Sequence, residues 1–128
     1  MYQHNVTVAG EWLRKEMPGN FEGIVVVGIS GQAYGWPLRA WLGVPLIVVR
    51  KPGDHSHSSY TIEGLENDNI ERVCFVDDLI SSGQTLRNVK EELKQCDVHV
   101  VRALLIGMGR HEECVFEGVP THTLGLPL

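Results

Sequence analysis

The stretch "VCFVDDLISSGQTL", Val73–Leu86, sets an apolar run, two adjacent aspartates, two more apolar residues and a hydroxyl-rich glycine turn in one line. The apolar run reads as a buried strand. Carboxylates at the end of such a strand are costly unless solvated or paired, so Asp77 and Asp78 are expected to project into an open cleft. There they can accept hydrogen bonds from the vicinal hydroxyls of a sugar, or hold magnesium through water. Ser81, Ser82 and Thr85 then supply hydroxyls around Gly83, and "GQTLRNVKEELKQCD" spaces Leu86, Val89, Leu93 and Cys96 as the apolar stripe of an amphipathic helix. Backbone N–H groups, hydroxyls and a helix N-terminus aimed at one point make a phosphate cradle in chemical terms.

Three further runs extend the pattern: "GIVVVG" (23–28), "PLIVV" (45–49) and "VHVVRALLI" (98–106). Like "RVCFV" (72–76), they lack polar alternation, as expected of strands covered on both faces. Helices are expected between them. One spans Gly31–Leu42, with Ala33, Trp36 or Pro37, Ala40 and Trp41 as its packed face. Another lies near Ala9–Met17, ended by Pro18-Gly19, and a last strand falls around Pro120–Leu124 with little else in the tail. Strands alternating with helices imply an α/β fold, a mainly parallel sheet with helices on both faces, whose ligands bind beyond the carboxyl ends of the strands. No repeat or linker divides the 128 residues, so one domain, 1–128, is expected.

Two more loops that follow strands hold polar chemistry. "GISG", Gly28–Gly31, is expected to be a loop that brings backbone close to an anion. "RKPGDHSHSSY", Arg50–Tyr60, ends a strand in two cations, Arg as a planar fork and Lys as a point charge, both suited to pyrophosphate. His55 and His57 have an H-x-H spacing, but no third metal ligand follows it.

Composition excludes several classes. A hydrophobic share of 43% with 21% charged residues is that of a globular chain and argues against disorder. A net charge of −5 gives no reason to expect nucleic acid or an anionic membrane as partner. Cys74, Cys96 and Cys114 are odd in number, scattered and without a CxxC spacing, which suits reduced thiols in the cytoplasm. No apolar run approaches the roughly 20 residues that span a bilayer, and the N-terminus shows no secretory pattern. Walker A and G-x-G-x-x-G fingerprints are absent.

With these residues in view, "VCFVDDLISSGQTL" resembles the phosphoribosyl-pyrophosphate (PRPP) motif of the type I phosphoribosyltransferases, with serines where threonines are frequent. "GISG" falls at that family's pyrophosphate loop, "LGVPLIVVRK" is similar to its adenine and orotate members, and "PGDHSHSSY" stands at its mobile catalytic loop. The resemblance covers about residues 20 to 106. It implies a Rossmann-like phosphoribosyltransferase core with Asp77 and Asp78 on the ribose hydroxyls and, indirectly, on Mg2+. Ile80, Ser81, Ser82, Gly83, Gln84 and Thr85 would wrap the 5′-phosphate, and Ser30 and Gly31 would meet the pyrophosphate, with Arg50 and Lys51 close by. His55 and His57 would donate to pyrophosphate oxygens or exclude water as their loop closes. The implied reaction is displacement of pyrophosphate from PRPP by a nitrogen nucleophile, most simply a nucleobase. The short flanks imply that the family's hood, which supplies the base pocket, is minimal or absent. A chain so reduced also fits a regulatory or assembly module that binds PRPP or a nucleotide without turnover. A homodimer is expected, with Trp12, Trp36, Trp41 and Tyr34 as candidates for its face.

Overall fold

The β-branched runs form the centre of one sheet. The computed structural model describes residues 2–17, 19–50, 60–65, 69–80 and 83–128. Among them the elements are α1 (Tyr2–Glu16), β1 (Gly23–Val27), α2 (Gly28–Leu42), β2 (Leu46–Arg50), β3 (Thr61–Glu63), β4 (Arg72–Asp77), α3 (Gln84–Lys94), β5 (His99–Leu105), β6 (Glu112–Phe116) and β7 (Val119–Thr123). The described strands make a seven-stranded sheet in the order β3-β2-β1-β4-β5-β7-β6. Pairing is parallel from β2 through β1, β4 and β5 to β7, while the edge strands β3 and β6 run antiparallel.

Side chains that alternate along each strand feed two cores. Ile24, Val26, Val48, Cys74 and Val76 face one side, where Ala9 and Leu13 of α1 and Tyr34 and Leu38 of α2 cover them. Val25, Val27, Ile47, Val49 and Phe75 face the other side, under Leu86, Val89 and Leu93 of α3. Each aliphatic side chain buried this way contributes about 1.5–3 kcal/mol, which is why strands apolar on both faces are stable only with helices on both.

Several sequence expectations need correction. Helix α2 packs through Gly31, Tyr34, Gly35 and Leu38, whereas Ala33, Trp36, Ala40 and Trp41 are exposed. Its inner face is set by the two glycines, which let the helix axis approach β1. A Cβ on Gly35 would meet Val26 at 3.0 Å and Leu46 at 3.1 Å. Tyr34, expected with the tryptophans at a contact surface, is in the core. Cys96 is exposed and not on the α3 stripe. The helix stops at Lys94, and Asp97 turns the chain in the left-handed region (φ 60). The tail holds a full hairpin, β6–β7, rather than one strand. Glu113 fastens that hairpin to β5, accepting from Arg102 Nη2 at 3.1 Å and from His122 Nδ1 at 2.7 Å. Beyond α1 and this hairpin the described residues contain no additional subdomain that could serve as a hood.

The strand order fixes where a ligand can sit. From β1 the chain crosses by α2 on one face to β2, and from β4 it crosses by α3 on the other face to β5. The connections leave adjacent strands in opposite directions, which opens a cleft at the carboxyl ends of β1 and β4.

Candidate active site

Strand β1 runs directly into α2. Gly28 makes the turn with φ 71, and Ile29–Gly31 are already in the helix, so "GISG" is a helix start and not the expected loop. Val27 occupies the N-cap and has no side-chain acceptor to offer the first-turn N–H groups. The β4–α3 connection ends the same way, at Gly83 (φ 80), an N-cap with no side chain. Two helix N-termini therefore follow the carboxyl ends of β1 and β4, each an electropositive seat for an anion.

Asp77 stands between them. It is 8% exposed at the end of β4, and its Oδ1 accepts from Ser30 Oγ at 3.2 Å and from the Asp78 N–H at 2.8 Å. Asp78 is half-buried, and its Oδ1 accepts from the Leu79 N–H at 2.7 Å. The backbone carbonyls of the two acids accept from the Ile106 and Gly107 N–H groups at 3.0 and 2.7 Å, so the end of β5 holds both residues in place. Burial pushes the Asp77 carboxyl up to about 7, and its hydrogen bond with the Asp78 carboxyl and that group's charge add to the rise. The Ser30 contact and the Asp78 N–H oppose the shift only in part.

The other predicted residues are spread around this pair. Gly31 is buried in the first turn of α2, while Gln84 and Thr85 open α3 and Ile80 packs toward the core under that helix. Arg50 ends β2, on the far side of β1 from Asp77, and its Nε donates to Glu63 Oε1 at 2.8 Å. A phosphate there would have to compete with that carboxylate. Lys51, His55, His57, Ser81 and Ser82 lie outside the described residues. A cavity of about 790 Å3 opens at the opposite end of β4, beside Ile70, Asp97 and His99, away from the acidic pair.

Solved structures share this fold. An orotate phosphoribosyltransferase from Aeropyrum pernix superposes with a TM-score of 0.68 at 23% identity, covering 91% of this chain and 68% of that one. An adenine phosphoribosyltransferase gives 0.71 at 20% identity, with 95% and 78% covered. The chain has the type I phosphoribosyltransferase fold. Two curated relatives, hypoxanthine/guanine phosphoribosyltransferases of Methanothermobacter marburgensis and Methanothermobacter thermautotrophicus, are 30% and 33% identical over 102 and 106 residues. These matches take in 70% and 73% of the chain, which spans about half the length of either relative, 52% and 53%. No family model matches the chain.

The fold also gathers residues at the start of α3 that sequence reasoning passed over. Arg87 and Asn88 in the first turns of α3, Tyr60 before β3 and Glu117 in the β6–β7 turn form one polar network beside Gly83. Glu117-Gly118 is a weak hairpin signal in sequence, since asparagine, aspartate or glycine ordinarily precedes that glycine, and its proximity to α3 is tertiary.

Proposed function

We propose that this chain, acting as one domain, transfers the 5-phosphoribosyl group of PRPP to a ring nitrogen of a nucleobase and releases pyrophosphate. The observation that carries the reading is the Ser30–Asp77 hydrogen bond at 3.2 Å, which ties the α2 N-terminus to the acidic pair across the cleft. In this reading Asp77 and Asp78 accept from the ribose 2′ and 3′ hydroxyls, and the α3 N-terminus with Ser81, Ser82 and Thr85 holds the 5′-phosphate. Ser30, Gly31 and the first-turn donors of α2 receive the departing pyrophosphate, with Arg50 and Lys51 beside them and His55 and His57 on the closing side. The oxocarbenium-like transition state asks the protein mainly to align the reactants and to meet charge as it develops on the leaving group.

The donor set suits magnesium. Asp77 and Asp78 offer hard oxygen ligands, yet among the described residues no group of three or more His, Cys, Asp or Glu could hold a metal alone. The ion would therefore be shared with PRPP oxygens and water, where it neutralises pyrophosphate charge. The names of the curated relatives support a purine as the first acceptor to test. Free thiols support a cytoplasmic setting, and no described helix is long and apolar enough to cross a membrane. A second copy of the chain is the proposed partner, seated on the outward stripe of α2, where Ile29 is 89% and Trp36 49% exposed in line with Ala33 and Ala40.

Incubation with PRPP, magnesium and a panel of free bases should release pyrophosphate only when the right base is present. The Arg50–Glu63 pairing, which engages one of the proposed pyrophosphate cations, favours the second reading, a PRPP-binding module without turnover. Tight PRPP binding with no pyrophosphate released across the panel would establish that reading instead.

A further inference from the structure

Glu117 and Gly118 close the β6–β7 hairpin as a two-residue turn with φ 50 and 75, while Phe116 pairs with Val119. This is the geometry in which asparagine, aspartate or glycine is the ordinary first residue. Glutamate there accepts left-handed strain, and the partly exposed ion pair it makes with Arg87 adds little net stability. What the side chain does is reach α3. Its carboxylate accepts from Arg87 Nε at 2.8 Å and Nη2 at 3.1 Å, and its backbone carbonyl accepts from Lys90 Nζ at 2.7 Å. Hydrogen bonds from Arg87 hold the Glu117 carboxyl below the usual range, so it is ionised at neutral pH. It stands against the N-cap itself: a Cβ on Gly83 would come within 3.1 Å of Glu117 Oε2.

The grip continues around the helix. Arg87 Nη1 donates to Gln84 Oε1 at 3.0 Å, Gln84 Nε2 to Asn88 Oδ1 at 2.8 Å, and Asn88 Nδ2 to the Tyr60 hydroxyl oxygen at 2.9 Å. The first turn of α3 is thus held between the hairpin turn on one side and the residue leading into β3 on the other.

We propose that Glu117 is a positioning residue for the 5′-phosphate, fixing through Arg87 and Gln84 the first turn of α3 that cradles it. The inference rests on the cradle assigned under the proposed function. It also has a sign of its own. A carboxylate beside an anion site repels the anion, so a purely electrostatic influence predicts tighter phosphate binding when Glu117 is neutralised. A positioning role predicts weaker binding, because donors displaced from the anion lose their alignment.

The experiment is calorimetric titration of ribose 5-phosphate into the full chain, its Glu117→Gln and Glu117→Ala variants and a Tyr60→Phe variant, with a urea unfolding curve for each. Glu117→Gln keeps the side-chain shape if the alanine variant fails to fold. Expected is about a ten-fold loss of affinity in folded Glu117→Gln, about 1.4 kcal/mol, with a smaller loss in Tyr60→Phe. Unchanged or tighter binding by folded Glu117→Gln, or a fall in urea midpoint alone, overturns the proposal while leaving the cradle intact. A wild-type chain that binds no ribose 5-phosphate overturns the cradle, and the proposal with it.

Discussion

Asp77 is where sequence, burial and chemistry meet most tightly. Burial pushes its carboxyl up to about 7 in the folded chain, far above the roughly 3.9 of an unfolded aspartate, so between those values the folded state binds more protons than the unfolded state. Ionising Asp77 therefore opposes folding: stability from this group is greatest at low pH and is lost as pH rises through about 7. Urea denaturation at pH 5.5 and pH 8 should show Asp77→Asn flattening the profile, the wild type gaining about 1–2 kcal/mol relative to the variant at the lower pH. A variant with the wild-type profile would remove Asp77 as the source. Binding runs the other way, since only the ionised carboxylate is a full acceptor for ribose hydroxyls. PRPP affinity should thus rise across pH 6 to 8. The acidic pair was legible in sequence because acids rarely end a buried strand. The rise at Asp77 was not, because that depends on how deeply β4 is covered and on Ser30, distant in sequence.

At the scale of elements, α2 teaches how a face is misread. Its tryptophans lie at the surface, and the face on the sheet is built from Gly31, Tyr34, Gly35 and Leu38, two of the four without a side chain. Hydrophobic periodicity weighs side chains, so it cannot see a face made by their absence. Gly35→Ala should force α2 off β1, since the added methyl meets Val26 at 3.0 Å, and should cost about 1–3 kcal/mol in a denaturation experiment. An unchanged midpoint would mean that the helix sits less closely on the sheet. Strands β1, β2, β4 and β5 and helix α3 were readable, because long uninterrupted valine-rich runs and a clean three-four spacing leave few alternatives. Strand β3, three residues long, and the β6–β7 hairpin were not, their half-exposed patterns being weak without knowledge of the neighbours they pair with.

The whole molecule is a sheet whose order makes two helix N-termini converge on one acidic pair. This convergence could be expected from a parallel α/β pattern, but which two connections meet depends on β1 and β4 being neighbours, a fact of topology. The outward stripe of α2 is a second feature at this scale. Ile29 lies beside Ser30 in the first turn, so a partner seated on the stripe would abut the cleft. Sedimentation of the wild type should report a dimer and Trp36→Glu a folded monomer; a monomeric wild type at micromolar concentration contradicts the assignment. The central claim is that the acidic pair and the α3 N-terminus hold PRPP, and calorimetric titration of PRPP with magnesium tests it most directly. The wild type should bind saturably, and Asp77→Asn combined with Asp78→Asn should abolish the signal in a chain that still folds. Equal affinity in the two proteins would contradict the account.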